Sequence, residues 1–164
     1  MDVGCLTIVI ESTWITENGE RMPEKELLVM YRQTKGYPSG HGKELIEQFG
    51  DIHISDKYNS EQSEGKWAKG MGCFAAQVVA FFKKDIGDIY LEPTGTRNLG
   101  EQYVYILYGL SGISQDVIGN GEKLLCLKVI ARGQGDKPDE ILYDNAIFCV
   151  KRFSEKSDCL LFGL

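Results

Sequence analysis

Arg32, Lys35, Ser39, His41 and Lys43 are the side chains best suited to chemistry, spaced by Gly36, Pro38, Gly40 and Gly42. All five can donate hydrogen bonds to an anion, and Arg32 presents a fork that matches phosphate or carboxylate. Tyr31 and Tyr37 add π-faces on which a base could stack. Glycines let a ligand approach the backbone closely, and a helix start leaves N–H groups that attract negative charge. An anion or nucleotide cradle is one reading. A plain strand-to-helix turn, with Tyr37 plugging the core, is the other.

Gly70, Gly72 and Cys73 repeat this arrangement beside Lys66, Trp67 and Lys69. Cys73 falls in the first turn of a helix, where the dipole favours a thiolate. Paired with His41 it would make the nucleophile and base of a hydrolase or transferase; alternatively it packs as a small hydrophobe. Gln77 follows one turn later and either enters the same pocket or is a satisfied buried amide. Asp51, His53 and Asp56 form a loose group that reads as a solvated loop.

Neither GxxxxGK[ST] nor GxGxxG occurs, so no nucleotide cofactor is expected. The two histidines lie in no HxH or HExxH spacing, and no metal site is expected.

The elements that must carry these residues are legible. Residues 5–10 are a first strand and 26–32 a second, joined across Asn18-Gly19, a hairpin signal. Both faces of 27–32 are apolar, so this strand should be covered on both sides, with Arg32 at its end. Residues 43–49 are a short helix stopped by Gly50. Residues 51–66 are an excursion loop. Residues 73–84 form the main helix, with Phe74, Val78, Phe81 and Phe82 as its buried stripe. Further strands are expected at 88–91, 102–108, 124–131 and 141–153, the last resuming at 146–150. Tyr90, Tyr103, Tyr105 and Tyr108 could line a ligand or a protein interface, or simply be good strand residues. The sum is a single α+β domain over 1–164, a mostly antiparallel sheet with two helices packed on one face.

A formal net charge of −6 argues against extended nucleic acid as a partner. Five cysteines form no CxxC pair, and Cys126 and Cys149 sit in apolar runs as buried thiols. No signal-peptide pattern or membrane span is visible, so a reducing cytoplasm is expected.

The stretch Tyr31-Arg32-Gln33 with Gly36-Tyr37-Pro38-Ser39-Gly40-His41-Gly42, followed by Gly70-Met71-Gly72-Cys73-Phe74-Ala75-Ala76-Gln77, resembles a family of small uncharacterised proteins of bacteria and their phages. The resemblance runs from the first strand to about Tyr105. Many members have an Asp before the Gly-Tyr-Pro where this chain has Lys35. It implies an α+β domain in a phage or prophage context, and names no reaction. By analogy with phage proteins that sequester host defence signals, the leading expectation is a non-enzymatic, homo-oligomeric binder of a small anionic, nucleotide-derived ligand in the host cytoplasm. Arg32, Ser39, Gly40, His41, Gly42 and Lys43 would hold the anion and Tyr37 would stack. Gly70, Gly72, Cys73 and Gln77 would close the pocket. The Cys73/His41 enzyme is the alternative. A protein-binding inhibitor, acting through the acidic surface and the tyrosines, is the second.

Overall fold

A computed structural model describes residues 2–14, 24–57, 64–111 and 122–150. The Asn18-Gly19 turn, Cys159, residues 151–153 and the middle of the 51–66 loop lie outside the described residues.

Runs of β-branched and aromatic residues make the strands: β1 (Cys5–Trp14), β2 (Lys25–Arg32), β3 (His53–Ser55), β4 (Trp67–Ala68), β5 (Ile89–Glu92), β6 (Tyr103–Ser111), β7 (Glu122–Ala131) and β8 (Glu140–Ala146). They form one sheet in the order β4-β3-β7-β6-β1-β2-β5, with β8 also paired to β7. β3 meets β7 at Glu122 and Lys123, whereas β8 takes the same edge from Cys126 onward.

The expected β1–β2 hairpin pairing is present, antiparallel. The sheet is nevertheless mixed: β1 runs parallel to β6 at its centre, and β3 runs parallel to β4. A parallel neighbour needs a long crossover. Here β2, both helices and β5 intervene between β1 and β6.

Two helices pack on the sheet, α1 (Lys43–Phe49) and α2 (Gly70–Phe82). Alternation along the strands sends Cys5, Val9, Leu28, Met30, Tyr105, Leu107, Leu127 and Val129 to the helical face. There they meet Leu45, Ile46 and Phe49 of α1 and Phe74, Val78 and Phe82 of α2. Leu6, Ile8, Ile10, Val29 and Val104 form a second cluster. β2 thus contributes to both clusters, as its two apolar faces require.

Four expectations are corrected. α2 begins at Gly70 and ends at Phe82, so Lys83 and Lys84 lie past its end. Phe81 is half-buried, while Phe74 and Val78 are fully buried. Residues 147–150 turn helical instead of continuing β8, and Ile147 and Val150 join the main cluster, so two helices do not exhaust that layer. Of the thiols in apolar runs, Cys126 is buried but Cys149 is only half-buried.

At the β5 end the first residue of the edge strand has both backbone groups taken. Ile89 N–H donates to Gly87 O at 2.7 Å, and Lys83 Nζ donates to Ile89 O at 3.0 Å. Among the described residues no helix is long and apolar enough to cross a membrane.

Candidate functional site

The 31–43 stretch folds inward. Lys35 takes a left-handed conformation (φ 58°), and Gly36 follows in close contact with the chain's start. Gly36 N–H donates to Val3 O at 2.8 Å, and Tyr105 Oη donates to Gly36 O at 2.7 Å. A Cβ at Gly36 would lie 2.7 Å from Val3 O, so no larger residue fits. A π-helical turn, Pro38–Gly42, then leads into α1 and carries His41 into the core.

His41 is completely buried. Its Nδ1 lies 3.1 Å from Arg32 Nη1, which can only donate, so Nδ1 accepts. Nε2 therefore carries the proton and donates to Thr7 Oγ1 at 2.6 Å. The ring also contacts Phe82 at 4.5 Å and Tyr105 at 4.8 Å between centroids. Burial, then the Arg32 charge, push its pKa down to about 3. His41 is a neutral imidazole with both nitrogens engaged.

Arg32 is paired by the protein itself. Nη1 donates to Glu44 Oε2 at 2.6 Å, and Nε lies 3.7 Å from Asp88 Oδ2. The guanidinium also sits over Phe82, 5.5 Å from its centroid. Asp88 is left-handed too (φ 61°), and its Oδ1 accepts from Thr34 N–H and Thr34 Oγ1. The Arg32 side chain is 9% exposed, whereas Glu44 and Asp88 are 38% and 42% exposed. One cation faces two carboxylates, so the cluster is net negative and repels a further anion. Burial also pushes the Cys5 thiol beside it far up.

The expected cradle is accordingly not assembled. Arg32 and His41 are drawn into a polar cluster with Thr7, Glu44 and Asp88, in which Arg32 Nε alone is buried without a hydrogen-bond partner among the described residues. Gly42 is buried and Gly40 half-buried. Tyr37 and Ser39 face solvent, and Lys43 faces outward, 3.8 Å from Glu47. At the second helix start Gly70 is buried at φ 81°, and a Cβ there would come within 2.7 Å of Asp56 Oδ1. A carboxylate of the chain thus already stands at that N-terminus. Gly72 and Cys73 are exposed. Cys73 is therefore not a core thiol, and His41 has no nitrogen free to serve as its base. Of the tyrosines, Tyr105 is fully buried and Tyr108 donates to Asp144 at 2.6 Å; Tyr90 is exposed. Asp51, His53 and Asp56 diverge: His53 stacks on Trp67, Asp51 nears Lys66, and Asp56 nears Lys123.

Gln77 is the expected residue that reaches a real concavity. A groove of about 410 Å³ runs between the end of α1 and the second half of α2. Its apolar wall is Phe49, Ile52, Trp67, Ala80 and Phe81. Its polar residues are Gln48, Gln77 and Lys66, whose Nζ donates to Gln48 O at 3.1 Å and lies 4.0 Å from Asp51 Oδ1. Gln77 Nε2 donates to Trp67 O at 3.0 Å, which fixes the amide's orientation. Its buried Oε1 has no hydrogen-bond partner among the described residues. Lys84 Nζ lies 5.0 Å from the Phe81 ring centroid.

Sequence reasoning missed Thr7, Glu44 and Asp88, and did not foresee a groove around Phe81 and Trp67. Thr7 had a signal: it is the polar residue between Cys5 and Val9 on one face of an apolar strand. Glu44 and Asp88 had none, because their meeting with Arg32 depends on tertiary folding. Compared with known proteins, the chain matches no family model, no curated protein and no solved structure.

Proposed function

We propose that this chain is a non-enzymatic binder of a small anionic ligand, nucleotide-derived in its leading class, held in the groove between α1 and α2. The groove carries the reading. Its volume of about 410 Å³ is in the range of small-molecule sites, and its lining is largely apolar with a few polar groups. Phe81 and Trp67 offer aromatic surface for a base. Gln48 offers an amide for its edge, Gln77 supports the wall, and Lys66 with Lys84 meets the negative charge. The resemblance to small phage and bacterial proteins supports a further step: sequestering a host defence signal in the host cytoplasm.

The Cys73/His41 hydrolase or transferase finds less support. A buried neutral imidazole that already accepts from Arg32 and donates to Thr7 cannot take a proton from an exposed thiol.

The test is calorimetric titration with mononucleotides and cyclic nucleotides, and mass spectrometry of any small molecule that copurifies. Binding is expected to fall at least ~10-fold in Phe81→Ala and in Lys66→Glu. The ligand should be recovered intact. Conversion of the ligand, abolished by Cys73→Ser, would replace the binder with an enzyme; undiminished binding in both groove variants would move the site elsewhere.

A further inference from the structure

The face of the sheet away from α1 and α2 carries a second cavity. Along β6, Tyr105 and Leu107 join the helical cluster, so Val104 and Ile106 point the other way, and Ile130 of β7 packs with them there. These three side chains floor a cavity of about 280 Å³. Its rim is Arg97 and Asn98, from the β5–β6 connection, and Arg132 and Asp139, from the β7–β8 connection.

The rim is held in place before any ligand arrives. Glu101, its side chain 1% exposed, accepts from Asn98 N–H at 3.1 Å, Leu99 N–H at 2.6 Å and Arg132 Nη1 at 2.6 Å. Asn98 is left-handed (φ 65°), and its Oδ1 accepts from Arg132 Nη2 at 2.6 Å. Glu26 accepts from Gly95 N–H at 2.5 Å and from Arg97 Nη2. Asp139 Oδ1 accepts from Gly133 N–H at 2.8 Å. Groups fixed in this way lose little freedom on binding.

Charge and hydrogen-bonding capacity together select the ligand. Glu26 answers Arg97, and Glu101 answers Arg132. Asp139 is a third carboxylate, 50% exposed on the cavity wall and 3.3 Å from Arg132 Nε. Three carboxylates against two guanidiniums leave the site net negative, so a simple anion is disfavoured and a cationic group suits Asp139. Each guanidinium also has five N–H donors. Hydrogen bonds to described residues take one from each Nη, so donors remain for an acceptor. We infer that this cavity binds a free apolar α-amino acid, with its ammonium on Asp139, its carboxylate on Arg97 and Arg132, and its side chain on Val104, Ile106 and Ile130. The zwitterion adds no net charge, and the cavity's 280 Å³, just under the ~300–1,000 Å³ of sites for larger ligands, suits so compact a molecule. The site lies across the sheet from the α1–α2 groove, and the inference does not depend on the ligand proposed there.

Calorimetric titration of the intact chain with L-leucine is expected to show saturable binding. Blocking either charge of the ligand, as N-acetyl-L-leucine or as L-leucinamide, should weaken binding at least ~10-fold, and so should removing its side chain, as glycine. These arms use the wild type alone. Asp139→Asn keeps an oxygen for Gly133 N–H but loses the charge, and Arg97→Gln loses the guanidinium. Each should weaken L-leucine at least ~10-fold, with thermal melts checking that the chain is folded. No saturable binding of L-leucine, L-isoleucine or L-phenylalanine overturns the inference, as does undiminished binding in both variants. Leucinamide bound as tightly as leucine overturns the arginines as carboxylate partners, and N-acetyl-L-leucine bound as tightly overturns Asp139 as the ammonium's partner. Glycine bound as tightly overturns the apolar floor as the seat of the side chain. Nucleotide titrations of the groove are decided separately.

Discussion

Arg32 shows how one residue type supports two opposite roles until its neighbours are known. From the sequence, a guanidinium at the end of a doubly covered strand needs either an internal carboxylate or a ligand anion. The structure supplies two carboxylates, and they come from positions 44 and 88, which no local pattern connects to 32. Arg32→Lys keeps the charge but loses the planar group that places Nη1 on His41 and Glu44 while Nε faces Asp88. The expected result is a stability loss of about 2 kcal/mol in denaturant melts, with ligand affinity changed less than ~3-fold. A variant as stable as wild type with weakened ligand binding would return the site to the glycine loop. His41 adds a pH signature. Its folded pKa, about 3, lies below the ordinary value of 6.5, so the unfolded chain takes up the proton first. The stability contributed by the neutral buried form is complete above about pH 6.5 and is lost as pH falls toward 3. Between about pH 6.5 and 5, urea melts of the wild type should lose stability at up to ~1.4 kcal/mol per pH unit, and His41→Gln should flatten that slope. An unchanged slope in the variant would assign the loss to other groups.

At the scale of elements, the sequence was legible wherever periodicity was sustained. α1 and its stop at Gly50 emerge as read; strands β1, β2, β6 and β7 emerge where expected, with β1 running on from 10 to Trp14 and β6 from 108 to Ser111, because alternation and helical spacing report which face is buried. Two kinds of information were missing. Strand order was one: nothing in residues 5–10 or 102–108 says that they run side by side and parallel, since that contact closes over the whole intervening chain. The other was the short apolar run 146–150, whose composition suits strand and helix equally, and which turns helical from Ile147. α2 allows a direct check on burial. Phe74 is fully buried and packs edge-on against Phe49 at 5.3 Å, while Phe81 is half-exposed in the groove. Phe74→Ala should cost about 3–5 kcal/mol, and Phe81→Ala clearly less, in the same thermal or urea melts. Equal losses would mean that the groove is packed shut in solution.

For the whole molecule, the charge balance separates how a ligand arrives from how it stays. The chain carries a formal charge of −6, so an anion approaching from a distance meets net repulsion. In the proposed groove such an anion would meet Lys66 in the lining and Lys84 beside the Phe81 ring at short range. Screening acts differently on the two. Raising ionic strength from 10 to 100 mM shortens the Debye length from about 30 Å to about 10 Å, which removes most of the distant repulsion. The contact pairs are weakened as well, because both ammonium groups reach solvent. Stopped-flow measurements on an anionic nucleotide should therefore show an association rate that rises modestly with salt. The dissociation rate should rise more, so that affinity falls overall. Lys66→Gln should leave the association rate within ~3-fold of wild type and act mainly through faster dissociation. An association rate that falls with salt would require a basic steering surface that this composition does not suggest. Affinity independent of salt would mean that the ligand is not an anion, and the groove would then be read from its aromatic wall alone.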